Sequence, residues 1–183
     1  MSYKNTKMDI RNRRTFKEDP LDFYETPRIA TKLLLQQVCF VGSILEPAVG
    51  KGAIEKVLSE RLPNQIIAFD VHQYSKEYKK KDFFSYNKKV GNIVTNPPYN
   101  NARAFIDHSL EITRRRVCML LKLTFLETQG RYELFRDTPL ERVIIFSKRI
   151  SCNKKNKATA FAWYVWNNEK DKDQKPYIEW VTY

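Results

Sequence analysis

The residues best suited to chemistry stand together at positions 96–99, where Asn96 is followed by Pro97, Pro98 and Tyr99. Residues 90–95 before them, which include Val90, Ile93 and Val94, predict a buried strand. Pro97 and Pro98 must end that strand, because neither can donate a ladder hydrogen bond and both fix φ. Ligands of open α/β sheets bind at the carboxyl ends of the strands, so we expect Asn96 and Tyr99 to lie at a ligand site. A strand terminator followed by a plain turn is the alternative interpretation.

A glycine turn between a strand and a helix is the second candidate site. Residues 43–46 predict the strand, and residues 53–62 place apolar side chains on one helical face until Pro63 ends the helix. Gly50 and Gly52 lie between the two, where glycine allows positive φ and a close approach to a ligand. The third glycine of the dinucleotide fingerprint is missing, which argues against a nicotinamide cofactor.

An acid follows the next predicted strand, over residues 65–70. Its distance from the glycine turn suits a carboxylate that accepts hydrogen bonds from ribose hydroxyls. Asp70 is therefore a candidate nucleoside ligand, and a surface aspartate at a strand end is the alternative.

A helix start near the amino end adds a further candidate. Thr26 and Pro27 predict the N-cap and first residue of a helix whose apolar stripe extends to Val38. A plain helix start explains these residues, but a threonine hydroxyl and helix-end N–H groups also suit a carboxylate.

The order of these motifs resembles a known family. Asn-Pro-Pro-Tyr resembles the catalytic motif of the class I S-adenosylmethionine (AdoMet) methyltransferases that modify amino or amide nitrogens, above all the N6-adenine DNA methyltransferases. Glu-Pro-Ala-x-Gly-x-Gly at 46–52 resembles their AdoMet-binding motif, and Tyr-x-Thr-Pro at 24–27 resembles the motif that closes over the methionine part of AdoMet. Asp82-Phe83 resembles the pair that meets the AdoMet adenine, although a short strand that buries a phenylalanine is an alternative.

The resemblance covers most of the chain, and two later stretches, 122–127 and 160–166, look like those of small, phage-type members. It implies AdoMet as the cofactor. The cofactor-binding residues that it implies are Tyr24, Thr26, Pro27, Glu46, Pro47, Ala48, Gly50, Gly52, Asp70, Val71, Asp82, Phe83 and Asn96.

The residue types at 96–99 suit a weakly nucleophilic amine such as adenine N6, whose lone pair is delocalised into the ring. The Asn96 side-chain oxygen and the Pro97 carbonyl can accept its two N–H groups and favour a more tetrahedral nitrogen. An amide is no base at neutral pH, so catalysis would rest on positioning and electrostatics. Tyr99 would stack on a base flipped out of a duplex or presented by a single strand. The catalytic set is Asn96, Pro97, Pro98 and Tyr99.

The acceptor side is predicted from cations and aromatic rings further along the chain. Lys122 interrupts an apolar run, which is costly unless it is paired or reaches the cleft. Phe125 or Ile150 could supply a second wall for the base. The connection 148–157 holds five Lys or Arg and no acid, which suits phosphate contacts. The predicted substrate-binding residues are Lys122, Phe125, Lys148, Arg149, Lys154, Lys155 and Lys157.

Composition favours a polyanionic partner. The 183 residues carry 33 Lys plus Arg against 21 Asp plus Glu, a formal net charge of +12. A domain this basic is expected to bind nucleic acid, although a solvated basic surface is the alternative. The family resemblance implies DNA more than RNA. The three cysteines and two histidines form no recognised ligand spacing, so no metal site is expected. No membrane segment or signal peptide is visible, and a cytoplasmic protein is expected.

We expect an α/β fold: a Rossmann-like, seven-stranded class I methyltransferase sheet, mostly parallel, with one antiparallel strand in a terminal hairpin and an edge strand added by residues 177–183. Residues 1–19 predict a flexible basic arm, and residues 20–183 a single domain without a separate target-recognition domain. A homodimer or an accessory partner would then supply specificity.

Three functions compete at this point. The first is methylation of adenine N6 in DNA. The second is the same chemistry on an RNA base, at adenine N6 or guanine N2, or on a protein glutamine. The third is a non-catalytic, nucleic-acid-binding methyltransferase fold, which the intact glycine and Asn-Pro-Pro-Tyr motifs disfavour.

Overall fold

The structure is a computed structural model that describes residues 25–152, 159–170 and 174–183. Tyr24, Lys154, Lys155, Lys157 and the predicted arm lie outside these ranges. The helices in the described part are α1 (Arg28–Gln37), α2 (Glu55–Arg61), α3 (Ala102–Ile112) and α4 (Gln129–Asp137). The strands are β1 (Ile44–Glu46), β2 (Ile66–Asp70), β3 (Lys79–Lys80), β4 (Asn92–Thr95), β5 (Arg116–Lys122), β6 (Leu140–Phe146), β7 (Phe161–Asn167) and β8 (Tyr177–Val181).

One sheet contains all eight strands of the described residues, in the order β3-β2-β1-β4-β5-β7-β6-β8. Only β7 is antiparallel to its neighbours, β5 and β6, and all other pairs are parallel. The expected mostly parallel sheet with one antiparallel strand in a terminal hairpin is confirmed. The count of seven is exceeded by one because β8 adds the expected edge strand beside β6.

The central strands are buried on both faces, which explains their nearly continuous apolar sequence. One core contains alternate strand residues such as Leu45, Ile93 and Leu121 and packs against α3. The other contains Ile44, Val94 and residues of α1 and α2. A helix layer on each face therefore leaves the carboxyl ends of the strands as the open edge.

One local prediction is wrong. Thr26 does not cap α1: the N-cap is Pro27, and no side chain caps this end. After β5, Leu123–Leu126 forms a 3-10 turn, so that the chain leaves the sheet directly after Lys122. Within the described residues, no helix is long and apolar enough to cross a membrane.

Candidate active site

The carboxyl ends of β1, β2 and β4 meet at one edge of the sheet, because these neighbouring strands are parallel. Glu46 ends β1, Asp70 ends β2, and Asn96 follows the last residue of β4. The three motifs predicted from separate parts of the sequence therefore converge on this edge.

A hydrogen bond joins the Thr-Pro motif to the Asn-Pro-Pro-Tyr motif. The Asn96 side-chain nitrogen donates to the Thr26 hydroxyl oxygen at 3.1 Å, and Thr26 is only 4% exposed. This contact orients the Asn96 amide and turns its Oδ1 to the opposite side of the group. The sequence singled out both residues but did not predict their contact, because a role as a helix cap accounted for Thr26 equally well.

The glycine turn holds the carboxylate of Asp70. Gly50 and Gly52 have φ of 56° and 85°, and the Gly50 N–H donates to Asp70 Oδ2 at 2.9 Å. The His72 N–H donates to Asp70 Oδ1, also at 2.9 Å. Burial raises the pKa of Asp70, while these N–H bonds lower it. Each carboxylate oxygen has more than one lone pair, so Asp70 keeps acceptor capacity for a ribose hydroxyl.

Gly52 also makes room for a tyrosine that the sequence did not single out. A Cβ on Gly52 would lie 2.1 Å from the Tyr78 hydroxyl. That hydroxyl donates to Glu55 Oε2 at 2.7 Å, and burial raises its pKa. Packing against Tyr78 therefore favours glycine at this position, in addition to its positive φ. A tyrosine in a polar, basic loop gives no sequence signal of such a contact.

Glu46 is a buried acid beneath the same turn. It is 1% exposed, and its Oε2 has no hydrogen-bond partner among the described residues. Burial, then the charges of Glu55 and Asp70, raises the pKa of its carboxyl well above the ordinary value. An unsatisfied buried carboxyl favours a ligand that brings a cation or an N–H donor.

The next predicted cofactor residues are only partly open to a ligand. Val71, directly after β2, is 47% exposed. Asp82 caps a short 3-10 turn by accepting the Phe84 N–H at 3.0 Å. Phe83 is 2% exposed, and its ring lies 4.8 Å from the Phe105 ring. The neighbouring Phe84 is 43% exposed, so contact of Phe83 with an adenine ring stays a prediction.

A cleft of about 280 Å³ opens beside Tyr99. The Lys122 ammonium lies 4.9 Å from the centre of the Tyr99 ring, and the Arg131 guanidinium lies 4.2 Å from the centre of the Phe125 ring. The structure thus brings predicted residues Lys122 and Phe125 to the predicted Tyr99 and adds Arg131. The residues that line the cleft include Tyr99, Leu121, Lys122, Thr124, Phe125 and Arg131.

The start of the basic connection lies apart from this cleft. Ile150 is 2% exposed and packs in the core on the α1 side, so it does not form the second wall. The Lys148 ammonium donates to the backbone oxygen of Tyr183 at 2.7 Å. Lys148 and Arg149 follow β6, which β5 and β7 separate from β4, and their contact with phosphates stays a prediction.

No protein-family model matches the chain, and no curated protein matches its sequence. Solved structures do match its fold. The M protein of the type I restriction enzyme EcoKI is 11% identical, with a TM-score of 0.63 over 88% of this chain and 49% of its own. The type I restriction-modification methyltransferase subunit from Streptococcus thermophilus is 13% identical, with a TM-score of 0.57 over 87% of this chain and 47% of its own.

An AdoMet-dependent O-methyltransferase from Thermotoga maritima is 15% identical, with a TM-score of 0.54 over 78% of this chain and 64% of its own. This chain spans about half the length of the two restriction-enzyme subunits. Restriction-modification subunits and an O-methyltransferase share this fold. The similarity therefore shows the fold and does not identify the substrate. The chain has the class I AdoMet-dependent methyltransferase fold.

Proposed function

We propose that this protein transfers a methyl group from AdoMet to an exocyclic amino nitrogen of a nucleic-acid base. Adenine N6 in DNA is the acceptor that we favour. The observation that carries the proposal is the Asn96 amide, which Thr26 holds at the carboxyl end of β4 beside the Tyr99 cleft. The methyltransferase fold supports the proposal, and two of the solved structures that match it are restriction-modification subunits.

The residues at the edge fit AdoMet as the cofactor. Asp70 has acceptor capacity for ribose hydroxyls, and Val71 is exposed for contact with an adenine ring. AdoMet carries an ammonium and a sulfonium, and the buried, unsatisfied Glu46 carboxyl suits a cation or an N–H donor. When bound, this cofactor supplies an electrophilic methyl group.

The chain's own residues would prepare the acceptor. Asn96 Oδ1 and the Pro97 carbonyl would accept the two N–H groups of the amine, which localises the lone pair on nitrogen. Tyr99 and Phe125 would hold the base between aromatic surfaces. Neither amide nor carbonyl takes a proton at neutral pH, so the proton would leave to solvent after transfer.

The charge of the chain supports a nucleic-acid acceptor over a protein side chain. The net charge is +12, and two cations, Lys122 and Arg131, line the cleft itself. An RNA base and a protein glutamine are the other acceptors of the same chemistry. The two neighbours described as subunits favour the further proposal that a partner contributes sequence specificity.

The test is methyl transfer from labelled AdoMet to unmethylated duplex DNA, single-stranded DNA and RNA, followed by nucleoside analysis. We expect N6-methyladenine in DNA. The Asn96→Ala variant should lose nearly all transfer and keep most of its AdoMet binding, because that side chain contacts the acceptor amine.

Wild-type turnover in Asn96→Ala would contradict the assigned role of Asn96. Label in RNA alone would replace the DNA proposal by the RNA one. Absence of AdoMet binding in a calorimetric titration of the folded protein would reject methyl transfer altogether.

A further inference from the structure

We propose that Lys122 and Arg131 bind the phosphate groups that flank the acceptor base, so that the acceptor must be part of a polynucleotide strand. This inference rests on the proposed function and adds a binding site for the strand beside the base pocket. Its evidence is the placement of two cations that no described acid neutralises, each against a ring of the cleft.

Lys122 is the last residue of β5, where the chain turns away from the sheet. Its ammonium lies over the Tyr99 ring rather than against a carboxylate. No acid in the described ranges forms an ion pair with it. A half-buried ammonium with an aromatic ring on one side keeps N–H donors for an anion on the other.

Backbone oxygens of the turn that follows β5 hold the Arg131 side chain in place. Its Nη1 donates to the backbone oxygens of Thr124 at 3.0 Å and Glu127 at 3.2 Å. Its guanidinium plane rests on Phe125. A guanidinium has five N–H donors, so most remain for a phosphate, which its fork geometry matches.

Two neighbouring arginines differ from Arg131 in their partners. Arg136, also on α4, pairs with Asp137, and Arg103 on α3 pairs with Asp107. Arg131 has no such carboxylate among the described residues and lines the cleft. Its charge is thus available to a ligand of the cleft.

The volume of the cleft limits which part of a nucleic acid can enter it and contact these two cations. About 280 Å³ lies just below the roughly 300–1,000 Å³ found for ligand pockets. That volume suits one base, not a stretch of strand. A base that enters the cleft brings its own sugar and phosphates to the rim, where Lys122 and Arg131 lie. A protein glutamine, as the acceptor, is neutral and would bring no negative charge to pair with Lys122 and Arg131.

The experiment measures binding of a fluorescein-labelled, single-stranded 20-nucleotide DNA as a function of salt concentration. The variants are Lys122→Gln, Arg131→Gln and Arg131→Lys. Arg61→Gln, an exposed arginine at the end of α2, is the matched control. Thermal unfolding of each variant checks that the turn and α4 remain folded.

Loss of one phosphate contact lowers the magnitude of the salt slope by about 0.7 on single-stranded DNA. We expect that decrease for Lys122→Gln and for Arg131→Gln, with a retained slope for Arg131→Lys and for Arg61→Gln. Methyl transfer to DNA should fall at least tenfold in kcat/KM for each of the two glutamine variants.

A wild-type slope in both glutamine variants would overturn this inference, even if the wild-type protein methylates DNA. Reduced slopes without any methyl transfer by the wild-type protein would uphold the phosphate site and reject the proposed function. An equal decrease in Arg61→Gln would show that the protein surface as a whole, and not this cleft, binds the strand.

Discussion

Thr26 connects the amino-terminal Thr-Pro motif to the Asn-Pro-Pro-Tyr motif through a single side-chain hydrogen bond. Its hydroxyl accepts from Asn96, and the two residues are 70 positions apart. The bond sets which side of the amide carries the oxygen, and that oxygen is the atom proposed to contact the amine. A residue that does not touch the acceptor would thus control how the acceptor is held.

Replacing Thr26 by valine keeps the shape of the side chain and removes the hydroxyl. We expect kcat to fall roughly tenfold, because a displaced Asn96 amide no longer meets the amine at the right angle. The free energy of unfolding should fall by about 1 kcal/mol for the lost hydrogen bond. Steady-state kinetics and urea unfolding measure the two effects.

Thr31→Val is the matched control, because Thr31 is buried in α1 and its hydroxyl has no hydrogen-bond partner among the described residues. Its removal should leave kcat unchanged and stability unchanged or higher. Equal losses of kcat in the two variants would show that removing any buried threonine hydroxyl in this region lowers kcat. The hydrogen bond between Thr26 and Asn96 would then not be the cause.

Glu46 gives a prediction for pH. Its pKa is raised above the ordinary 4.5, so the folded protein holds this proton more tightly than the unfolded chain. The stability that the protonated carboxyl contributes is present below pH 4.5 and is lost as pH rises through the raised pKa. Glu46→Gln cannot ionise, so its free energy of unfolding should decline less than that of the wild type between pH 4.5 and 8.

Urea unfolding across this pH range measures the difference. Glu60→Gln is the control: Arg28 donates to the exposed Glu60 carboxylate and lowers its pKa, so its contribution to stability is lost only as pH falls below 4.5, and the curve of this variant should run parallel to that of the wild type over this range. Parallel pH curves for Glu46→Gln and the wild type would mean that Glu46 ionises in the folded protein as it does in the unfolded chain, so that its pKa is not raised.

At the scale of elements, the alternation and continuity of apolar residues predicted the strands well. Residues 65–70 and 90–95 were expected as strands, and β2 and β4 lie within them. The two-residue β3 could not be predicted, because Lys79 and Lys80 are exposed and owe their extended form only to pairing with Phe69 and Asp70.

Spacing and motifs singled out Asn96, Tyr99, the glycine turn and Asp70 in the sequence, and the structure brings Asn96, Asp70 and the glycine turn to one edge of the sheet. Their roles stay predictions. Arg131 was missed because an arginine on a polar helix ordinarily signals a solvated face. Only the 3-10 turn after β5 brings α4 back so that Arg131 reaches Phe125.

At the scale of the whole molecule, β7 holds the sheet together. It pairs with β5 over Arg116–Lys122 and with β6 on its other side, and its residues are buried. The Trp163 indole N–H donates to the Ala30 backbone oxygen at 2.9 Å and so ties β7 to α1. By contrast, β8 pairs with β6 alone, and most of its side chains are exposed.

Two truncations separate these contributions. A chain that ends at residue 150 lacks β7 and should show no cooperative thermal transition, because β5 and β6 then have unpaired inner edges. A chain that ends at residue 175 lacks only β8 and should unfold cooperatively at a lower temperature. Differential scanning calorimetry compares them, and a cooperative transition in the shorter chain would contradict the central role of β7.

The late position of β7 in the sequence has a consequence for synthesis on the ribosome. The last residue of β5 is Lys122 and that of β7 is Asn167, and translation adds about 5–20 residues per second. The nascent chain therefore carries the apolar edge of β5 for about 2–9 s before its partner strand has been made. Slow codons between these strands would prolong that exposure, so the messenger sequence over residues 123–160 bears on how much of the protein escapes aggregation.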